Sequence, residues 1–365
     1  MEFDLDTDQR ALRDAARAFL ERETPVTYAR AMMDDPRGYR DDVWRKMADL
    51  GWMALPFPED AGGVGQGFVA LAILLAEMGR VVLPGPYFST VVLAGHAILE
   101  GGTDAQRKEL LPAICAGELI AAFADSTETV EACPVDAGFR LTGEARFVFD
   151  GATAQKLVVA AANEDGSLGL YLTEPTETVA VDTLDATRKA AHVSFDETPA
   201  ERLGDGPNQT ALQRVRDKAC VGLSVESLGA AERVVELAVD YAKQRTQFDR
   251  PIGSFQAVKH RAADMHLDTE SLRNAVYYAA WAIERDHPDA SLAASMAKAY
   301  ASDAFRRVAA SGIQVHGGIG FTWEHDMHLY FKRAKTSEVA FGSADAHRER
   351  MARLLEQRYG GVPSG

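Results

Sequence analysis

The spacing of apolar residues divides the chain into segments of different texture. From about residue 5 to 118 apolar positions recur at helical intervals, and they predict helices that begin near Asp8 and cover 68–78 and 104–116. Gly51 is predicted to end a helix, and the Pro- and Gly-rich stretch 55–63 is predicted to be a loop. The pattern therefore predicts an N-terminal helical domain over 1–118.

Between about 119 and 203 the apolar runs become short, and turn residues such as Asp150-Gly151 and Asp165-Gly166 separate them. We expect strands at 119–123, 139–141, 147–149, 157–161, 168–172 and 191–195. Together they predict a small central antiparallel β domain over 119–206. The stretch Gly204-Asp205-Gly206-Pro207-Asn208 reads as a linker.

The remaining segment, 207–365, is predicted to be a C-terminal four-helix bundle. Apolar residues from Val258 to Ile283 alternate spacings of four and three, which is one face of a helix of roughly seven turns. Helices with small apolar stripes are also expected over 228–242 and 291–312, and small residues let helices pack closely. The predicted fold class is α+β, mostly α.

The bulk composition excludes some classes of partner. A formal net charge of −15 argues against nucleic acid or an anionic membrane surface. Three widely spaced cysteines, Cys115, Cys133 and Cys220, fit free thiols in a reducing cytoplasm. We see no apolar signal core at the N-terminus and no run long enough to span a membrane. No metal site is expected, since the His325 and His328 pair is more typical of a buried or capping role.

Two runs in the last segment carry groups suited to a dinucleotide. The first is Arg245-Thr246-Gln247-Phe248, continuing to Phe255-Gln256, and the second is Gln314-Val315-His316-Gly317-Gly318. A guanidinium and two glycines suit a pyrophosphate, glutamine amides donate and accept, and an aromatic ring suits adenine. The alternative is that the glycine pair ends a helix and that Arg245 is a surface charge.

With Lys332-Arg333-Ala334-Lys335 in register, these runs resemble the R-x-x-F…Q and Q-x-x-G-G-x-G segments of the acyl-CoA dehydrogenase family. The order of helical domain, β domain and helical bundle is also that of the family. The resemblance implies FAD as cofactor, an acyl-CoA substrate and an electron-transfer flavoprotein as partner. It further implies that both runs reach across a subunit interface to the adenosine half of a neighbour's FAD, with His316 structural or at the flavin edge.

The family's catalytic base is missing from both of its known positions. In most members a glutamate followed by Gly-Thr removes the substrate's α-proton, but here Phe341 precedes Gly342-Ser343. The second base position falls at Ala219, and Cys220 follows it where an arginine is common. Three other carboxylates deserve weighing, and an ion-paired or solvated role is the default for each of them: Glu338, Asp345 and Glu226.

The segments expected to contact flavin within the same subunit depart from the family pattern. Residues 124–131 keep hydroxyl groups but lack the usual proline and glycine, and 147–151 lack the threonine that bonds the flavin ring. The resemblance therefore favours a partner subunit that lacks the base in a hetero-oligomer catalysing α,β-desaturation, with a large or sterol-derived acyl group possible. The alternatives are a self-sufficient homo-oligomer, dimer or tetramer, with a displaced base such as Glu338, and a flavin-free scaffold.

Overall fold

The computed structural model describes residues 5–136 and 138–359. Within them, two compact units can be distinguished. The first unit holds 5–26, 72–83 and 220–359, and the second holds 27–71, 84–136 and 138–219. The division into 1–118, 119–206 and 207–365 follows changes of texture along the chain, and as a statement about domain boundaries it stays a prediction.

The predicted N-terminal helices are present. The first helix, α1 (Thr7–Glu23), begins with a capping box, because Asp6 and Gln9 each accept the other's backbone N–H through their side chains. Gly51 has φ +73° just after a helix end, which confirms the predicted stop. The loop at 55–63 contains a single short turn of 3₁₀ helix, Glu59–Ala61. The other helices here are α2 (Val26–Asp34), α3 (Asp41–Asp49), α4 (Gly67–Arg80), α5 (His96–Gly101) and α6 (Asp104–Cys115), with a π-helix, Phe88–Gly95, before α5.

The β region is one sheet that closes on itself. Its strands are β1 (Ala121–Asp125), β2 (Val130–Val135), β3 (Gly138–Phe149), β4 (Lys156–Asn163), β5 (Leu168–Thr173), β6 (Glu177–Val181) and β7 (Ala190–Arg202). The pairings run β4-β2-β3-β7-β5 and return to β4, while β1 attaches to β4 and β6 to β7. Closure leaves few exposed edges. Its buried core includes Leu141, Leu157, Tyr171 and Val193.

The sheet differs from the predicted one in three respects. Most pairings are antiparallel as expected, but β4 pairs in parallel with both β1 and β2. The two strands expected at 139–141 and 147–149 are one strand, β3, in which a positive φ at Gly143 and two register shifts interrupt the alternation. The apolar pattern does not predict β2, which contains Pro134, or β6, which has no buried residue.

The C-terminal segment forms the predicted bundle. Its helices are α7 (Gln209–Gln244), α8 (Gln256–Glu284), α9 (Ala290–His316), α10 (Met327–Val339) and α11 (Ala344–Tyr359). One core joins the first four through Val234, Met265, Phe305 and Tyr330. Small residues bring helices close, since a Cβ on Gly229 of α7 would lie 1.7 Å from the Ala76 carbonyl oxygen of α4. No helix in the described part of the chain has the length and apolar character needed to cross a membrane.

Candidate functional site

The first predicted flavin run forms a hairpin after α7. Strand β8 (Thr246–Gln247) pairs with β9 (Arg250–Pro251), and Phe248 and Asp249 make the turn between them. Their φ values are +53° and +59°, the combination found in a type I′ turn. A phenylalanine seldom adopts this conformation, yet the Phe248 ring is 86% exposed. The tip of the hairpin is therefore strained, and apart from an edge contact with the Phe255 ring it is exposed.

The rest of this run also faces solvent. The Arg245 N–H donates to the Tyr241 carbonyl oxygen at 2.8 Å, while its side chain is exposed. The Arg250 guanidinium lies 4.1 Å from the centroid of the Phe255 ring, a cation–π contact. Gln256, the first residue of α8, is exposed as well. The hairpin thus presents a cation, amides and aromatic rings outside the bundle core.

The second predicted run ends α9 with open space beside its main chain. Gln314 is exposed, whereas Val315 and His316 are buried. Gly317 has φ +66° and ψ −140°, which only glycine adopts readily. A Cβ on Gly317 or Gly318 would meet no heavy atom within 4 Å. Main chain that is accessible in this way suits a phosphate group.

His316 brings the two runs together. Its ring stacks on Tyr241, with centroids 4.5 Å apart and planes 28° apart, and Tyr241 also accepts the Arg245 N–H. His316 Nδ1 donates to the Gly312 carbonyl oxygen at 2.8 Å, because a carbonyl can only accept. Burial lowers the pKa of His316, so the ring is neutral at pH 7. The His316 ring, at the end of α9, therefore packs against Tyr241 near the end of α7.

The two runs fit the adenosine pyrophosphate half of FAD. Arg245 offers a forked cation, and Gly317-Gly318 offer main chain that no side chain blocks. Phe248 offers a flat apolar surface, and Gln256 and Gln314 offer amides that donate and accept.

The turn at the first base position is held by groups of the chain itself. Phe341 and Gly342 follow the end of α10 with φ values of +54° and +102°. The Phe341 carbonyl oxygen accepts from His347 Nε2 at 2.9 Å, and Cys220 Sγ lies 3.8 Å from it. The Phe341 side chain is half-buried. At the position predicted for the base, this turn presents an aromatic ring, which cannot accept a proton.

The second base position is also without an acceptor. Ala219 is fully buried, and its side chain is a methyl group. The neighbouring Lys218 donates from Nζ to Glu100 at 2.5 Å, and Arg214 donates to the same carboxylate at 3.2 Å. Burial acts to raise the pKa of Glu100, but the two cations prevail and lower it. Glu100 is a half-buried carboxylate that the sequence pattern missed, and its ion pairs make it a poor proton acceptor.

The three other carboxylates have different surroundings. Glu338 is ion-paired with Lys335 and with Arg306, the latter at 3.4 Å. Asp345 is 91% exposed and pairs with Arg348 at 2.7 Å. Glu226 is buried in α7. Glu338 and Asp345 thus occupy the ion-paired positions that are the default for carboxylates on helices.

The segment expected to face flavin within this chain uses its polar groups internally. The Arg216 guanidinium donates two hydrogen bonds of 2.7 and 2.6 Å to the Asp125 carboxylate and one to the Thr127 hydroxyl. The Ser126 N–H donates to the Ala160 carbonyl oxygen, and the Ser126 side chain is buried. A bidentate pair of this kind is among the strong interactions of a protein. These atoms are already engaged within the segment that the sequence predicts to contact a flavin ring.

Lys298 of α9 was also missed by the sequence pattern. It is 1% exposed, although lysine is almost never fully buried unless it is paired. One sequence feature could have revealed it. Lys298 lies on the same helical face as Ala294, Ala301 and Phe305, and these three residues are buried.

The His325 and His328 pair has ordinary structural contacts. His325 Nδ1 accepts the Met327 N–H at 3.1 Å, and the His328 ring lies 4.9 Å from the Trp323 ring. Over 5–136 and 138–359, no group of three or more His, Cys, Asp or Glu residues could hold a metal ion.

Comparison with known proteins places this arrangement in context. Residues 6–118 match the acyl-CoA dehydrogenase N-terminal domain, and residues 201–356 match the acyl-CoA dehydrogenase C-terminal domain. The chain is 35% identical over 331 residues to the acyl-CoA dehydrogenase IpdE2 of Mycobacterium tuberculosis, which covers 90% of this chain and 92% of that protein.

Two solved structures match nearly the whole chain. A variant of the Tcur3481–Tcur3483 steroid ACAD superposes with a TM-score of 0.90 and 31% identity, covering 97% of this chain and 99% of that one. The ChsE4–ChsE5 complex from Mycobacterium tuberculosis gives a TM-score of 0.91 and 27% identity, covering 100% of both chains.

Proposed function

The chain belongs to the acyl-CoA dehydrogenase family, whose members are oxidoreductases acting on acyl-CoA, and from this premise we propose that it is the subunit without the base in a hetero-oligomeric, FAD-dependent enzyme. The assembly introduces an α,β double bond into an acyl-CoA thioester. A homologous chain provides the general base and the main flavin site. The present chain completes that flavin site from across the subunit interface.

One contrast carries this proposal. Residues 245–248, Gln256, Gln314, Gly317 and Gly318 of the two runs suited to the adenosine half of FAD are exposed, and no heavy atom would obstruct a group beside the two glycines. At the base positions the chain has Phe341 and Ala219, and the flavin-ring segment is engaged by the Arg216–Asp125 pair. Groups that serve another chain's cofactor are thus available, while groups needed for a site of its own are absent or occupied.

In this proposal each residue of the two runs has a definite task. Bound FAD supplies the acceptor for the hydride that leaves the substrate. Arg245 neutralises pyrophosphate charge, and Gly317 and Gly318 admit the phosphates against the main chain. Phe248 stacks on the adenine, and Gln256 and Gln314 orient it through their amides. Thr246, Gln247, Phe255, Val315 and His316 hold this framework in place.

The proposed substrate is a large acyl-CoA, with a sterol-derived acyl group as the leading candidate. Support comes from the description of the Tcur3481–Tcur3483 relative as a steroid ACAD. It also comes from the small side chains of Ala219 and Cys220, where the family pattern often has bulkier charged ones. By family analogy the electrons pass to an electron-transfer flavoprotein. The free thiols of Cys115, Cys133 and Cys220 fit a cytoplasmic enzyme.

The test is to purify this chain alone and after co-expression with a homologue that has a glutamate at the place of Phe341 or Ala219. We expect the isolated chain to be colourless and the co-purified assembly to carry flavin that an acyl-CoA bleaches. An isolated chain with stoichiometric, substrate-bleached flavin would contradict the proposal and favour a homo-oligomer with a displaced base such as Glu338. A chain that stays colourless with every such homologue would favour a flavin-free scaffold.

A further inference from the structure

The buried Lys298 ammonium lies among oxygen atoms of the turn that carries position 341. Its Nζ donates to the carbonyl oxygens of Ser337 and Gly342, each at 2.9 Å, and lies 3.3 Å from that of Glu338. The fourth oxygen is Ser302 Oγ, one turn along α9, at 2.9 Å. An ammonium has three N–H groups, so its donor capacity is fully used.

These carbonyl oxygens are of the kind that a helix end leaves without partners. Because α10 ends at Val339, the carbonyls of Ser337 and Glu338 lie in its last turn. In that turn a carbonyl oxygen no longer accepts the helical hydrogen bond from the N–H group four residues further along. A cation at a helix C-terminus is also favoured by the helix dipole. Lys298 therefore caps α10 from the neighbouring helix, which explains why a lysine is buried here.

His347 of α11 fixes the turn from another side. Its Nε2 donates to the Phe341 carbonyl oxygen at 2.9 Å. A Cβ on Gly342 would lie 3.0 Å from the same Nε2, and Gly342 has φ +102°, so a glycine is required for this approach. The main chain on both sides of Phe341 is thus bound by side chains from α9 and α11.

We propose that Lys298 is a positioning residue that fixes the direction of the side chain at position 341. Phe341 has φ +54°, a conformation that a bulky residue adopts only where its surroundings enforce it. Lys298, assisted by His347, supplies that enforcement through the carbonyl groups. The Phe341 ring is consequently a fixed apolar wall at the family's base position. This inference goes beyond the proposed subunit role, because it concerns the isolated chain without FAD or partner.

The substitution Lys298→Met separates positioning from general stability. Methionine has a similar length and fills the space, and it removes the desolvation cost of the buried ammonium. The carbonyl oxygens nevertheless lose their donor. Ser302→Ala is the matched control, since it removes the acceptor on Lys298's own helix and leaves the three carbonyl contacts in place.

The reporter is a single para-fluorophenylalanine at position 341, introduced site-specifically because the chain contains 16 phenylalanines. We expect one narrow fluorine resonance in the otherwise wild-type chain and in Ser302→Ala. Lys298→Met should give a broad or divided resonance. Amide exchange over 340–343 should become about tenfold faster, the effect of losing a charge-assisted hydrogen bond, while exchange in the middle of α9 stays unchanged.

Two results would overturn the inference. One is a narrow, unshifted resonance with unchanged exchange in Lys298→Met, which would mean that Lys298 only fills space. The other is faster exchange spread evenly through the bundle, which would mean a general structural role. Where Lys298→Met does not fold, Lys298→Gln takes its place, since glutamine keeps two N–H donors. We then expect amide exchange to become faster over 340–343 only, by less than in Lys298→Met. A fluorine spectrum identical to that of the wild type would contradict the inference.

Discussion

Phe248 and Phe341 have nearly the same positive φ in different surroundings. Their φ values are +53° and +54°. Phe248 lies at a hairpin tip with its ring 86% exposed. Phe341 is half-buried, and side chains from two neighbouring helices bind the carbonyls around it. The same strain thus occurs in an exposed hairpin, where Phe248 has only an edge contact with the Phe255 ring, and in a half-buried turn that side chains of two helices bind.

The difference indicates which region depends on something outside the chain. Strained backbone persists where surroundings over-determine it, and such positions cluster at functional sites. At Phe341 the surroundings belong to this chain, so the turn is complete as it stands. At Phe248 the strand pairing and one edge contact with the Phe255 ring hold the turn, but the ring stays exposed, as a surface that receives another subunit's cofactor would require. Together the two regions favour a chain that completes a partner's site.

Removal of the exposed cation should have the largest effect. Arg245→Ala in this chain alone should weaken flavin binding by the co-expressed assembly by about 2–3 kcal/mol, or roughly 30- to 150-fold, because a charge-assisted contact to the pyrophosphate is lost. The measurement is flavin retained after dilution and gel filtration. Arg146→Ala, which removes an exposed arginine of the β region, is the control. Equal flavin loss in both variants would contradict the assignment.

Asparagine tolerates a positive φ far better than phenylalanine, so it distinguishes the two strained positions. Phe341→Asn should lower the free energy of unfolding by about 1–3 kcal/mol, because half-buried apolar area is lost. Phe248→Asn should leave it unchanged or raise it by up to about 1 kcal/mol, because strain is relieved and little burial is lost. Urea unfolding of the isolated chain followed by circular dichroism measures both. Equal shifts would remove the distinction between an internally supported turn and an exposed tip.

A pH-dependent effect on stability should come from Lys298. Burial lowers its pKa from 10.5 to about 8, although Cys220 and Glu338 oppose the change. Below about 8 the folded and unfolded chains both hold this proton, so the contribution is constant. Between about 8 and 10.5 only the unfolded chain holds it, so rising pH favours the folded state by up to about 1.4 kcal/mol per pH unit. The unfolding free energy of the wild type minus that of Lys298→Met isolates this group. We expect this difference to rise with pH above about 8, and a fall would contradict the burial of Lys298.

Much of the fold could be predicted because the relevant pattern is local. The face of α8 with spacings of four and three is buried at Met265, Thr269, Leu272, Val276 and Ala279, and Gly51 ends a helix where expected. The β region was harder. A bulge at Gly143 and a proline in β2 break the alternation on which strand prediction depends.

The site could be predicted only as far as it consists of contiguous runs. The hairpin and the glycine turn are read directly from residues 245–256 and 314–318. The contacts of Lys298 with Ser337 and Gly342, and of Arg216 with Asp125, join residues roughly 40 to 90 positions apart. Neither spacing nor composition encodes such pairs. They appear only once the helices pack and the β region closes.

The central claim is that this chain completes a partner's flavin site and holds none of its own. Native mass spectrometry of the complex co-purified with a base-carrying homologue counts both chains and flavins in one assembly. We expect one FAD for each partner chain and none for each copy of this chain. An FAD count equal to the total number of chains would contradict it.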